Sequence, residues 1–162
     1  MKTRGFTLIE LLVVMVILGL LLTLGSKGLR AARISAKKAK AHVEMKAIET
    51  GVMAYFNKYG KLPAPDSFQG LEDYSDSAGI FRVITGKDEG LNPAKIVFLE
   101  SQRETAGVFT DPWGAQYQVV LDTDYDGFVE INDIRASRKT GAVSTGLYDV
   151  TGNTNDLLFS WR

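Results

Sequence analysis

The residues best placed to do chemistry lie in one acidic run, Asp122-Thr-Asp124-Tyr-Asp126-Gly127-Phe128-Val-Glu130-Ile-Asn-Asp133. Carboxylates at the first, third and fifth places, glycine at the sixth, a backbone carbonyl at the seventh and a carboxylate at the twelfth follow the ligand order of a calcium loop. Like charges this close repel one another unless a cation sits among them. The spacing therefore predicts Ca2+ on Asp122, Asp124, Asp126, Phe128 and Asp133. The twelfth place is Asp rather than Glu and the flanks have strand character, so the expected setting is a hairpin, with a solvated acidic turn as the alternative.

A second chemically informative position is Glu10. It is the one charge in Phe6-Thr-Leu-Ile-Glu10 through Leu24, a run of nineteen residues. A helix of that length spans ~28 Å, about one bilayer core. A carboxylate four places into an apolar span costs about 2.5–3.5 kcal/mol on insertion, which implies a partner. No Lys or Arg lies inside the run, so the partner is expected from elsewhere. A new amine at Phe6, if the chain were cut after Gly5, would be a cation at that depth.

Much enzymology is excluded. Without cysteine there is no thiol nucleophile and no Cys-ligated metal, and one histidine, His42, rules out His-based triads of ligands. A hydrolase built on the acidic run would need a general base beside the metal, and His42 is far away in sequence. No catalytic residue is nominated and the chain is not expected to be an enzyme. Trp113 and Trp161 are expected as core aromatics rather than stacking platforms.

The elements that must position these residues follow from periodicity. The run 6–24 is apolar all round, as a membrane helix is, and a short basic flank, residues 1–5, precedes it. Residues 25–60 contain no proline and place Ala41, Met45, Ile48, Val52, Tyr55 and Tyr59 on one helical face, so the membrane helix is expected to continue into an amphipathic stem. Gly60, Pro63 and Pro65 should end it near Tyr59. Residues 61–162 form the head. Strands are expected at 96–99, 116–121, 128–131 and 157–161, with Asp126-Gly127 as a hairpin turn and loops at 66–79 and 140–156. The fold class is α+β, a long helix packed on a small antiparallel sheet.

The 162 residues carry 19 basic and 19 acidic side chains, a net charge of zero that gives no reason to expect nucleic acid. The charges are nonetheless segregated. Residues 25–61 hold nine Lys or Arg against Glu44 and Glu49, and residues 62–162 hold eight against sixteen acids. The segregation reads either as a solvated surface or as complementary fields that steer copies of the chain together.

Lys2-Thr-Arg-Gly5 followed by Phe6-Thr-Leu-Ile-Glu10-Leu-Leu resembles the prepilin signal of type IV pilins and type II secretion pseudopilins. Tyr55-Phe-Asn-Lys-Tyr-Gly-Lys-Leu-Pro63, Asp111-Pro-Trp-Gly-Ala-Gln-Tyr117 and Asn155-Asp-Leu-Leu-Phe-Ser-Trp161 are similar to segments of the major pseudopilins. The resemblance implies cleavage between Gly5 and Phe6 by a prepilin peptidase, N-methylation of Phe6, and pairing of Glu10 with the amino terminus of an adjacent subunit. It further implies a single-pass inner-membrane protein with a periplasmic head, which polymerises with itself and with other pseudopilins on the secretion platform to promote protein export. A type IV pilus subunit is the alternative. The family's calcium loop near the end of the chain would correspond here to Ser144, Asp149 and Asp156. Two departures stand out: Lys27 replaces a frequent helix-bending proline, and the cysteine-closed loop of many pilins is missing. The six basic residues just beyond the span, by count of loop charges, would hold the head in the cytoplasm. A leader that must be read from the cytoplasmic side argues the opposite orientation.

Overall fold

A computed structural model describes residues 5–70, 73–100, 104–105, 108–131 and 133–161, with the side chains of 23–27, 104, 105 and 154 outside the description. The chain divides into two compact units, Met1–Lys37 and Lys38–Arg162.

The first unit is helical. Helix α1 runs Leu8–Tyr59 and supplies both this unit and the stem of the second. From Phe6 to Leu22 its large apolar side chains are bare, from 47% exposed at Val14 to 84% at Leu8. Among the described residues of the unit, nothing covers them. Among the described residues no helix is long and apolar enough to cross a membrane. The sequence run 6–24 passes into positions 23–27, and Lys27 lies among the side chains outside the description.

The second unit is built on the stem. Ala41, Met45, Ile48, Val52 and Tyr55 are all buried, at 2% exposure or less, on the face that the three-four spacing marks. The helix ends at Tyr59 because Gly60 takes φ 73°, and its N–H closes the last turn on the Phe56 carbonyl at 2.8 Å. The central sheet comprises β3 (Gln118–Leu121), β6 (Thr140–Ser144) and β7 (Leu158–Phe159), antiparallel in the order β3-β6-β7. Its register sets Val119 opposite Ala142 and Val143 opposite Phe159. Val119, Leu121, Ala142 and Leu158 join the stem in one core. Val120, Val143 and Phe159 form a second core with Val129 and Ile131 on the opposite face. That face is covered by the hairpin of β4 (Val129–Ile131) and β5 (Ile134–Ala136). A sheet buried on both faces loses strict alternation, and β6 is buried at every position. Helix α2 (Ser77–Ile84), a short pair of β1 (Glu104–Thr105) and β2 (Val108–Phe109), helix α3 (Gly146–Thr151) and a 3₁₀ turn at Thr154–Asp156 complete the head.

Several expectations are corrected. Ile96–Leu99 is not a strand: the Phe98 and Leu99 N–H groups both donate to the Ile84 carbonyl, at 2.8 and 3.1 Å, and Phe98 packs on Tyr55 and Tyr59. Its apolar residues cap the end of α2 instead of pairing. The expected loop at 140–156 holds the central strand and α3. Thr140-Gly-Ala-Val-Ser144 reads as loop by composition, but a strand sandwiched between two cores needs small residues, and a Cβ on Gly141 would overlap the Trp161 ring. The expected loop at 66–79 runs into α2, whose first turn is capped by the Asp76 carboxylate accepting the Gly79 N–H at 3.1 Å. Finally, β3 and β4 do not pair as a hairpin, because the free edge of β3 is taken: Tyr74 and Leu121 exchange both backbone bonds, at 3.0 and 2.9 Å, and Ser77 Oγ accepts the Val119 N–H at 2.8 Å.

Candidate functional site

The amino-terminal end is organised by a capping box. Thr7 precedes the first helical residue, and its N–H and Oγ both donate to Glu10 Oε2, at 2.9 and 2.7 Å, while the Glu10 N–H donates back to Thr7 Oγ at 3.3 Å. Glu10 therefore has a partner in its own chain beside the cation expected from elsewhere, and Thr-x-x-Glu is the sequence pattern that marks it. Both bonds fall on Oε2, so among the described residues Oε1 is the oxygen left to meet another group. Gly5 and Phe6 stand exposed at the start of this end.

Within the head, two stem carboxylates tie helix to sheet. Glu49 lies buried and accepts from Ser160 Oγ at 2.5 Å, Arg138 at 2.8 Å and Lys46 at 3.0 Å. Glu44 accepts the Tyr117 phenol at 2.6 Å. Periodicity marks the apolar face and does not reveal these two roles.

Asp111, first residue of the Asp-Pro-Trp-Gly segment, is a buried carboxylate satisfied from four directions. It accepts the N–H groups of Trp113 at 2.8 Å, Ala115 at 3.0 Å and Gly146 at 3.0 Å, and the Ser144 hydroxyl at 2.5 Å. The segment thus locks the loop before β3 to the end of β6. Ser144 is engaged there, while Asp149 accepts from Thr145 at 3.2 Å and Asp156 from Lys38 at 3.1 Å and Thr151 at 2.9 Å.

The acidic run splits into two groups. Asp126 pairs with Arg135 at 2.7 Å, in a pocket that Asp73 also lines, and the same guanidinium lies over the Phe128 ring at 4.1 Å. Asp133 is exposed at φ 60°, in the β4–β5 turn. Asp122 is buried at 2% exposure and accepts the Gly127 N–H at 3.2 Å on Oδ2; Asp124 is exposed and accepts the Asp126 N–H at 3.2 Å. An unexpected residue joins them: Asp73, Asp122 and Asp124 each offer a carboxylate oxygen within 4.8 Å of the others. Burial, with the neighbouring Asp124 and Asp122 charges added, pushes the Asp73 carboxyl up to about 6, and burial raises Asp122 as well.

A long helix packed on a small antiparallel sheet, with its far end apolar, exposed and capped, is a pilin-like architecture. The family model for the prokaryotic N-terminal methylation motif matches residues 1–26. The type II secretion system core protein G of Dickeya chrysanthemi is 32% identical over 119 residues, 74% of this chain and 69% of that protein. Its namesake in Pseudomonas aeruginosa is 33% identical over 117 residues, 72% of each chain, and the one in Vibrio cholerae is 28% identical over 148 residues, 90% of this chain and 88% of that protein. No solved structure matches the chain. The chain belongs to the core protein G family of type II secretion systems, the major pseudopilins, and is a structural subunit of the pseudopilus.

Proposed function

We propose that this pseudopilin waits in the inner membrane as a single-pass protein with its head in the periplasm, and enters the filament by passing its apolar helix end into a core of like helices. The bare surface from Phe6 to Leu22 carries the reading: an apolar patch of that extent needs lipid or other apolar helices around it. A prepilin peptidase would cut between Gly5 and Phe6 and methylate Phe6, leaving a cationic amine one helical turn from Glu10. In the filament, Glu10 Oε1 would take the amine of a neighbouring copy while Oε2 keeps the Thr7 cap. The capping box also lowers the cost of holding Glu10 in lipid beforehand, because Thr7 supplies two donors to a carboxylate that lipid cannot solvate. Other pseudopilins and the inner-membrane platform are the remaining partners.

Intact mass of the chain extracted from a membrane that contains a prepilin peptidase tests the processing step. The expected mature chain starts at Phe6 and carries one extra methyl group. An uncleaved chain, or a start elsewhere, overturns it.

A further inference from the structure

We propose that Asp73, Asp122 and Asp124 form a Ca2+ site that clips the segment before α2 to the loop between β3 and β4. The site belongs to the head and needs no filament, so its failure would leave the pseudopilus reading untouched.

Three carboxylates from two distant stretches converge to within 4.8 Å of one another. The backbone brings them there: Gly70 N–H donates to the Thr123 carbonyl at 2.5 Å, Tyr74 and Leu121 exchange two bonds, and the Tyr125 phenol donates to Gln69 Oε1 at 2.6 Å. The observation that points to a ligand is the state of the buried oxygens. Asp122 is 2% exposed and its Oδ1 has no hydrogen-bond partner; Oδ1 of Asp73 is likewise buried and unpartnered. An unsatisfied buried carboxylate oxygen is costly, and two beside each other are costlier still. Asp73 and Asp122 both face further acids, and Arg135, which lines the same pocket as Asp73, is engaged by Asp126.

A divalent cation supplies what is lacking. Oxygen-only donors select a hard ion. Calcium takes six to eight oxygen ligands at about 2.3–2.6 Å in flexible geometry and so suits carboxylates drawn from two separate stretches, whereas magnesium demands a near-ideal octahedron at about 2.0–2.1 Å and keeps several of its waters. The ligand order of a linear calcium loop is only half used: its first and third places are recruited, the fifth is diverted to Arg135, and Asp73 stands in from upstream.

The test is calorimetric titration of Ca2+ into the full chain in detergent micelles, with thermal unfolding followed by circular dichroism. The wild type should bind one Ca2+ saturably and melt higher in Ca2+ than in chelator. Asp73→Asn and Asp124→Asn should each weaken binding at least tenfold and remove most of the melting shift, while Asp126→Asn changes affinity less than threefold. Both Asn variants keep the carboxylate shape and relieve repulsion, so in chelator they should melt no lower than wild type. Three results overturn the site: no binding at millimolar Ca2+, binding that survives Asp73→Asn, or binding lost instead with Asp149→Asn or Asp156→Asn. Magnesium binding as tight as calcium would overturn the choice of ion.

Discussion

Removing the Glu49 carboxylate should loosen the stem from the sheet. Its side chain is 12% exposed and its Oε1 is shared by Ser160 and Arg138. Glu49→Ala leaves the buried Ser160 hydroxyl without its acceptor, which costs about 1–3 kcal/mol. The one buried methylene group lost, Cγ, adds about 0.8 kcal/mol. Arg138, at 34% exposure, can turn to water and adds little. The expected loss is therefore about 3 kcal/mol. Glu49→Gln keeps an oxygen for Ser160 and loses only the charge, so about 1 kcal/mol is expected. Urea unfolding of the full chain in mild detergent, read by tryptophan fluorescence, gives both numbers. Ser160→Ala should cost much less in the Glu49→Ala background than in wild type, since the pair is coupled. An alanine variant within 1 kcal/mol of wild type, or a glutamine variant as damaged as the alanine one, would refute the reasoning.

Gly146→Ala should cost about 2 kcal/mol, because a Cβ there would lie 2.7 Å from the Trp113 Cβ and crowd the Asp111 carboxylate that Gly146 helps to satisfy; the same urea assay reads it. Alkaline stability should fall between pH 10 and 12. Burial pushes the Tyr55 and Tyr74 phenols up to about 12, and an unfolded tyrosine ionises near 10, so their contribution is complete below about pH 10 and lost as pH rises through 12. Tyrosinate absorbance should appear together with loss of the near-ultraviolet dichroism, and ionisation of all six tyrosines near pH 10 with the fold intact would contradict this.

What the sequence discloses depends on the range of the interaction. The stem's buried face and its end at Tyr59 are local, set by the three-four spacing and by Gly60, and both can be read directly. Val129–Ile131 and Gln118–Leu121 are likewise legible as strands. Their pairing is not, because Tyr74 occupies the edge of β3 and the Asp126-Gly127 turn leads to a different sheet. Composition hides β6, where small residues serve dense packing rather than a loop. At the acidic run, spacing finds Asp122 and Asp124, but no linear pattern could nominate Asp73, which arrives through the Tyr74–Leu121 bridge. Glu10 is the opposite case: its partner Thr7 is three residues away, within a recognisable capping box, and meets the carboxylate with an N–H and a hydroxyl where a cation is expected from the charge alone.

The claim that Glu10 acts through its charge on a neighbouring amine is tested most directly by Glu10→Gln. Glutamine can replace glutamate in a capping box, so the helix end stays capped while the charge is lost. Glu10→Leu, by contrast, removes both. Each variant should be cleaved and should insert, since removing a charge eases insertion. Electron microscopy of filaments formed by each variant in a secretion-competent cell decides the matter. Filaments missing from Glu10→Gln as well as from Glu10→Leu are expected; normal filaments from Glu10→Gln, with failure only in Glu10→Leu, would show that Glu10 serves the cap and not the contact between subunits.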